Sequence, residues 1–208
     1  MKKLSALLLL ALAGQASAAV LNGDFSNGLS GYTSRGNVSV VQSFVDAQGR
    51  NWTHGGNFAV LNTNTTNSTA NFSNSATPNL TTGSVLTKSV NIKAGDRVSF
   101  DWAFTTSDYK PFNDVALILD NQNRRFELSS VAQVGNYGSS GWRTLSFVAQ
   151  SNYIGAVRFV VSNQGDSVVH SQLLLDNLQV APVPEPETYA LMGLGLVGLL
   201  AARRRKSA

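Results

Sequence analysis

The 208-residue chain contains no cysteine. That excludes a thiol nucleophile, cysteine-ligated zinc and any disulfide staple, so stability rests on packing, with or without a bound cation. Glutamate is nearly as scarce. Glu127 is the only one before residue 185, so a glycosidase built on a glutamate pair is excluded and aspartates would have to serve instead. The two histidines, His54 and His170, sit in no zinc-protease motif, and "GSSG" at 138–141 lacks the spacing of a nucleophile elbow. Net charge is also missing from the body of the chain. The formal +4 comes from the ends: without Lys2, Lys3, Arg203 to Lys206, Glu185 and Glu187, ten basic residues face ten acidic ones. A neutral body carries no electrostatic footprint for nucleic acid.

What is present begins with two ends that differ from the middle. Met1 to Leu12 reads "MKKLSALLLLAL" and leads to Ala16-Ser17-Ala18. A basic start, a short apolar run and small residues before the cut are the parts of a secretory signal peptide. Residues 1–18 are therefore expected to be removed by signal peptidase between Ala18 and Ala19, with Ala16 and Ala18 in the small-residue positions. At the other end, residues 188–202 carry no charge and are followed by Arg203, Arg204, Arg205 and Lys206. As a helix this run would span roughly 22 Å against a ~30 Å hydrocarbon core. It predicts one short transmembrane helix with its cationic end held cytoplasmic. Just upstream, Pro184 and Pro186 keep "VPEPE" extended and outside that helix.

Val183-Pro184-Glu185-Pro186, the glycine-rich apolar run and the terminal arginines together resemble the PEP-CTERM sorting signal of exopolysaccharide-producing Gram-negative bacteria. The resemblance covers residues 183–206, within a sorting segment placed at 182–208. It implies recognition and cleavage by an exosortase, transient anchoring in the inner membrane, and delivery to the cell surface or a biofilm matrix.

Residues 19–181 remain as one domain, and period-two alternation dominates them. In "DRVSFDWAF" Val98, Phe100, Trp102 and Phe104 share one face. Val115, Leu117 and Leu119 are expected to point inward, as are Leu145, Phe147, Val157, Phe159 and Val161. "SQLLLDNLQV" is apolar on both faces, as a central strand is. Further strands are predicted at 38–45, 57–61, 84–92 and 124–129. Eight or nine strands separated by Gly, Asn and Ser turns predict an all-β antiparallel sandwich. Between Asn62 and Ser84, 17 of 23 residues are Asn, Thr or Ser, which predicts a solvated loop with at most a short strand near Phe72.

"LNGDFSNGLSGY" (21–32) and "LLLDNLQV" are similar to the first and last strands of jelly-roll carbohydrate-binding modules. "FDWAFTTSDYKPFNDVALIL" resembles a stretch of other surface proteins that carry this tail. The resemblance implies a jelly roll whose first and last strands pair and bring Asp24 and Asp176 together, where relatives often hold a structural calcium. A second oxygen-rich set is Asp108, Asn113 and Asp114. For both sets, capping of loops by Asx turns is the alternative.

Sugar binding uses aromatic faces flanked by amide and carboxylate groups. Trp52 in "GRNWTHGG" and Tyr109 in "SDYKPFND" lie in polar, turn-rich segments and are the candidates. Trp102 alternates with core residues, and Trp142 is expected to close an end of the sandwich. The sequence thus predicts an exported, non-catalytic surface or matrix protein associated with extracellular polysaccharide. A dedicated carbohydrate-binding module is the alternative, and a secreted polysaccharide hydrolase fits less well.

Overall fold

The computed structural model describes residues 21–182 and 193–199. Ala16, Ala18, Ala19, the Val183–Pro186 motif and the Arg203–Lys206 cluster lie outside the described residues. Residues 193–199 are helical, and among the described residues no helix is long and apolar enough to cross a membrane.

In chain order the strands are β1 (Tyr32–Arg35), β2 (Asn37–Val41), β3 (Phe44–Val45), β4 (Asn51–Trp52), β5 (Phe58–Asn62) and β6 (Leu80–Ile92). They continue as β7 (Arg97–Thr106), β8 (Val115–Leu119), β9 (Arg125–Ser130), β10 (Arg143–Val148), β11 (Tyr153–Gln164) and β12 (Ser171–Ala181). Ten of them form two five-stranded antiparallel sheets, ordered β1-β6-β11-β8-β9 and β10-β7-β12-β5-β2. The two-residue strands β3 and β4 pair as a separate hairpin. The domain is an antiparallel β-sandwich.

Alternation explains the main core. Phe100, Trp102 and Phe104 from β7, Leu173 and Leu175 from β12, and Leu86, Phe159 and Val161 from β6 and β11 meet in one buried cluster. Those residues come from both sheets, so this cluster is the seam of the sandwich. Phe100 and Phe159 meet edge to face across it, 5.3 Å between centroids.

Each sheet also buries part of its other face, which strict alternation does not anticipate. Val115, Leu117 and Leu119 are buried, but on the opposite side from the seam, together with Val85 and Val160. Ala116 and Ile118 are the β8 residues that reach the seam. The inward assignment of the odd-numbered residues is therefore corrected: they lie under the Asn/Thr/Ser-rich segment, whose Phe72 packs on them. That segment is not the solvated loop expected from its composition. It forms a 3-10 turn at Ala70–Phe72 and a bridge from Ser68 to Thr82. Thr69, fully buried, joins Ser162 Oγ through its own Oγ at 2.6 Å.

The second sheet is covered likewise. Trp52 of the β3–β4 hairpin and Trp142 pack over Phe58, Val60, Ala103 and Leu174. Trp142 therefore covers a sheet face rather than closing an end of the sandwich. Phe147, expected inside, is 47% exposed because β10 is the edge strand of its sheet.

The first described residues cross the end of β12. The Leu178 amide donates to the Gly23 carbonyl at 3.1 Å. A Cβ on Gly23 would lie 1.8 Å from the Leu178 carbonyl oxygen, so the approach requires glycine. A register shift between Asp176 and Gln179, with Asn177 at φ 53°, turns the end of β12 toward this segment.

Candidate functional site

The outer face of the first sheet is only half covered. The loop carrying Phe72 lies over its β8 side, and beyond the loop runs a groove of about 450 Å³. β1 supplies Thr33 and Arg35, β6 supplies Thr87, and β11 supplies Arg158. Register makes this a single face. Thr33 pairs with Thr87 and Thr87 with Arg158, while Arg35 pairs with Val85. The loop contributes Asn67, Ser68, Asn71 and Phe72 as one wall, and the β8–β9 hairpin contributes Asn121 and Asn123. Asn67 is fixed by its Nδ2 donating to the Gly83 carbonyl at 2.8 Å. The lining includes neither a carboxylate nor a histidine. Its chemistry is amide, hydroxyl and guanidinium around one phenyl ring.

Of the two aromatic candidates, Trp52 is corrected. It is 6% exposed, its Nε1 donates to Asp46 Oδ2 at 3.0 Å, and its ring meets Trp142 edge to face. No ligand can stack on a ring buried in this way. Asp46 accounts for the burial of so polar a segment. It also accepts from Thr105 Oγ1 at 2.7 Å and from Arg50 Nε at 2.7 Å, so the "GRNW" turn is held down by one carboxylate.

Tyr109 is 39% exposed, and beside it stands Tyr137, 49% exposed, with ring centroids 5.7 Å apart. Phe112 supports Tyr109 edge to face. Tyr137 sits at φ 56° on a turn whose carbonyl accepts from Arg50 Nη1 at 2.9 Å. The pair is an exposed aromatic surface, separate from the groove lining.

Asp24 and Asp176 line the same depression, of about 320 Å³, with Ser26, Asn57, His54 and Asn177. Burial pushes the Asp176 carboxyl up to about 6, and the neighbouring Asp101 and Asp24 charges push the same way against a bond from the Asn177 amide. Asp101 faces the opposite balance. Burial works against its charge, but donors on Asn177, His54 and Thr144 hold it below the usual range. His54 Nε2 lies 2.9 Å from Asp101 Oδ2, and its ring stacks on Trp142 at 4.0 Å. The donors in the depression are mainly hard oxygens, the chemistry a calcium ion takes. Asp24 and Asp176 share that depression, and a cation there would have their two carboxylates as its charged ligands. When bound it would neutralise Asp24 and Asp176 and tie the first described segment to β12. Among the described residues no group of three or more His, Cys, Asp or Glu is arranged for a metal.

The second oxygen-rich set does not converge as expected. Asn113 Oδ1 accepts from the Ala132 amide at 2.7 Å, so it caps the short helical turn Val131–Val134. Asp108 and Asp114 are both fully buried. Asp114 accepts from Ser171 Oγ at 2.7 Å and from the Gln164 amide at 3.1 Å. Asp108 Oδ1 accepts from the Tyr109 amide at 2.7 Å, while its Oδ2 has no partner. Burial first, then the mutual charge, pushes Asp114 up to about 8, and burial raises Asp108 as well. Such a pair titrates together and keeps one proton across the two groups.

The sequence reading missed Arg35, Arg158 and Tyr137. The signal for Arg158 is its polar position in "AVRFVV", between Val157 and Phe159 that face the seam. Tyr137 had none beyond lying in a glycine-rich turn.

No curated protein matches the chain in sequence. Solved structures similar to it include carbohydrate-binding modules and parts of larger polysaccharide-acting enzymes. TmCBM61 in complex with β-1,4-galactotriose is 14% identical, covers 80% of this chain and 99% of its own, and has a TM-score of 0.44. A family 16 carbohydrate-binding module is 13% identical over 78% of this chain and 98% of its own, with a TM-score of 0.40. The C-terminal family 22 module of Clostridium thermocellum Xyn10B is 13% identical over 77% and 91%, with a TM-score of 0.38. At these values the likeness says nothing about the ligand of this chain. The sorting segment is more specific: residues 182–206 match the PEP-CTERM protein-sorting motif, which marks an exported protein processed by an exosortase.

Proposed function

We propose that this is a non-catalytic polysaccharide-binding protein of the bacterial cell surface or extracellular matrix. One observation carries the reading: an open groove across a sheet face, with Thr33 and Thr87 at set register positions on its floor and the asparagines of the flanking loops along its walls. Such groups match a hydroxyl-rich ligand, and the floor residues are held more firmly on strands than they would be on a loop. Phe72 offers one apolar face for a sugar ring. The exposed Tyr109–Tyr137 pair offers a second contact of the same kind. The groove lining contains no carboxylate pair or histidine base with which to cleave a glycosidic bond, which favours binding over turnover.

The export route follows from the termini. Signal peptidase removes residues 1–18, the apolar segment holds the chain briefly in the inner membrane of a Gram-negative cell, and exosortase frees the domain into a biofilm exopolysaccharide. Calcium at Asp24 and Asp176 stabilises the sandwich and takes no part in binding.

Titration calorimetry of the full-length chain in detergent against a panel of bacterial polysaccharides tests the reading. Asn71→Ala and Asn123→Ala are each expected to weaken binding, about tenfold for two lost hydrogen bonds. Tyr109→Ala should weaken binding to long chains more than to short ones. Release of reducing ends from any bound polysaccharide would overturn the non-catalytic assignment.

A further inference from the structure

Arg35 and Arg158 give the groove a character that glycan binding alone does not require. Among the described residues, Arg50 and Arg124 form ion pairs with aspartates. Neither groove arginine is in one. Arg35 stands exposed on the edge strand β1, and among the described residues its guanidinium has no hydrogen-bond partner. Arg158 is tethered at one point, Nη1 donating to the Asp120 carbonyl at 2.8 Å. That bond fixes the guanidinium in place and leaves its charge unneutralised. Through the pairing of Arg35 with Val85 and of Thr87 with Arg158, the two arginines share a face, two strands apart and offset by two residues. Ideal sheet spacings put their Cα atoms about 12 Å apart.

Two uncompensated guanidinium groups in a groove without a single carboxylate select for negative charge. The rest of the domain says what kind of polyanion. Its basic and acidic residues are equal in number, so no long-range field gathers nucleic acid. The groove has one half-buried phenyl ring, not the row of aromatic faces on which bases stack. Its other partners are hydroxyls and amides, suited to a ligand with many hydroxyls and widely spaced charges. We infer that the groove binds an acidic polysaccharide, with Arg35 and Arg158 each pairing a carboxylate on separate sugar units of one strand. This rests on the glycan-binding reading above and adds the class of glycan.

Polygalacturonate and its fully methyl-esterified counterpart share a backbone and differ in charge, so they isolate the arginines' part. With the full-length chain, calorimetry should show polygalacturonate binding at least about tenfold tighter than the ester, the range of one charge-assisted contact. Arg35→Gln and Arg158→Gln should each reduce polygalacturonate binding by about tenfold and affect ester binding far less. Arg158→Lys should retain part of the affinity, which separates charge from folding. Arg97→Gln, on the other sheet, should have no effect. Equal affinity for acid and ester, indifferent to either arginine variant, would overturn the inference and leave the groove a neutral-glycan site. Failure to bind any glycan would overturn both. Binding of oligo(dT) as tight as polygalacturonate would overturn it in favour of unselective polyanion capture.

Discussion

Trp52 Nε1 donates to Asp46 Oδ2 at 3.0 Å, fastening the β3–β4 hairpin to the outer face of the second sheet. Burial opposes the charge on Asp46, but donors on Trp52, Thr105 and Arg50 outweigh it and lower its pKa to about 2. A carboxylate depressed in the folded state stabilises above its unfolded pKa of 3.8, and that contribution disappears as pH falls through about 2. Between these values the wild type should lose roughly 2 kcal/mol from this group. Asp46→Ala strands three buried donors and should cost about 3 kcal/mol at pH 7 in urea unfolding, with a red shift in tryptophan emission. An unchanged midpoint would mean that the hairpin is not held by this carboxylate.

Asp114 should respond to pH in the opposite direction. Its folded pKa of about 8 lies above the unfolded 3.8, so the folded state holds the extra proton between these values. Its stabilising effect is complete below the unfolded pKa and is lost as pH rises through the folded one. Asp114→Asn removes the ionisation and keeps the shape. It should be more stable than wild type at pH 8, by several kcal/mol, and nearly equal to it at pH 4. Thermal melts at the two pH values decide this, and a wild type whose stability is flat over that range would refute the shared proton.

The sandwich was legible in the sequence because β7 alternates and β12 is apolar on both faces, as a central strand is, and Phe100, Trp102, Phe104, Leu173 and Leu175 from these strands meet at the seam. The second layer of burial was not. Nothing in "VALIL" distinguishes Leu117 under a loop from Leu117 between sheets, since both positions are dry. Trp52 misled for a related reason. A polar turn around an aromatic reads as exposed, but the surrounding donors all converge on a single aspartate 6 residues away. The groove was invisible because its residues are ordinary polar positions whose convergence depends on strand order, and strand order is not written locally. Asp24 and Asp176, in contrast, were anticipated as neighbours from the two edge motifs, and they share a depression.

The packing of Phe72 can be tested directly. It is the contact by which the Asn-rich segment covers Leu80, Val85, Val115, Leu117, Leu119 and Val160. Phe72→Ala should cost about 2 kcal/mol, below the range for a fully buried ring because Phe72 is only half buried. It should also remove one wall of the groove and weaken glycan binding. Stability unaffected by Phe72→Ala would mean that the segment is held by its polar contacts, Thr69 to Ser162, Asn67 to Gly83 and the Ser68–Thr82 bridge, without the ring.

Calcium at Asp24 and Asp176 would act as a ligand of the folded state, stabilising by about 2.7 kcal/mol when present at one hundred times its Kd. EDTA should therefore lower Tm by several degrees, and added calcium should restore it. Asp176→Asn should abolish the chelator's effect, since the ion would lose a carboxylate it needs most. A Tm indifferent to EDTA in the wild type would remove the ion from the account.

Exosortase processing gives the last prediction. The sorting match at 182–206 starts where β12 ends at Ala181, so the processing enzyme meets the chain just outside the folded sheet. Proline carries no amide donor and disfavours helical backbone in the residue before it, which is what the sequence places here at Pro184 and Pro186. Replacing Pro184, Glu185 and Pro186 with alanine removes that punctuation, and alanine is the best helix former. The segment would then be free to join the helical turn at 193–199, and the scissile region would be withdrawn from an enzyme that needs an open strand. The triple variant should accumulate in the membrane fraction as a precursor with its terminal arginines intact, while the wild type is released without them. Mass spectrometry of both fractions measures this. Release of the variant at the wild-type mass would show that the prolines and glutamate are not what the protease reads.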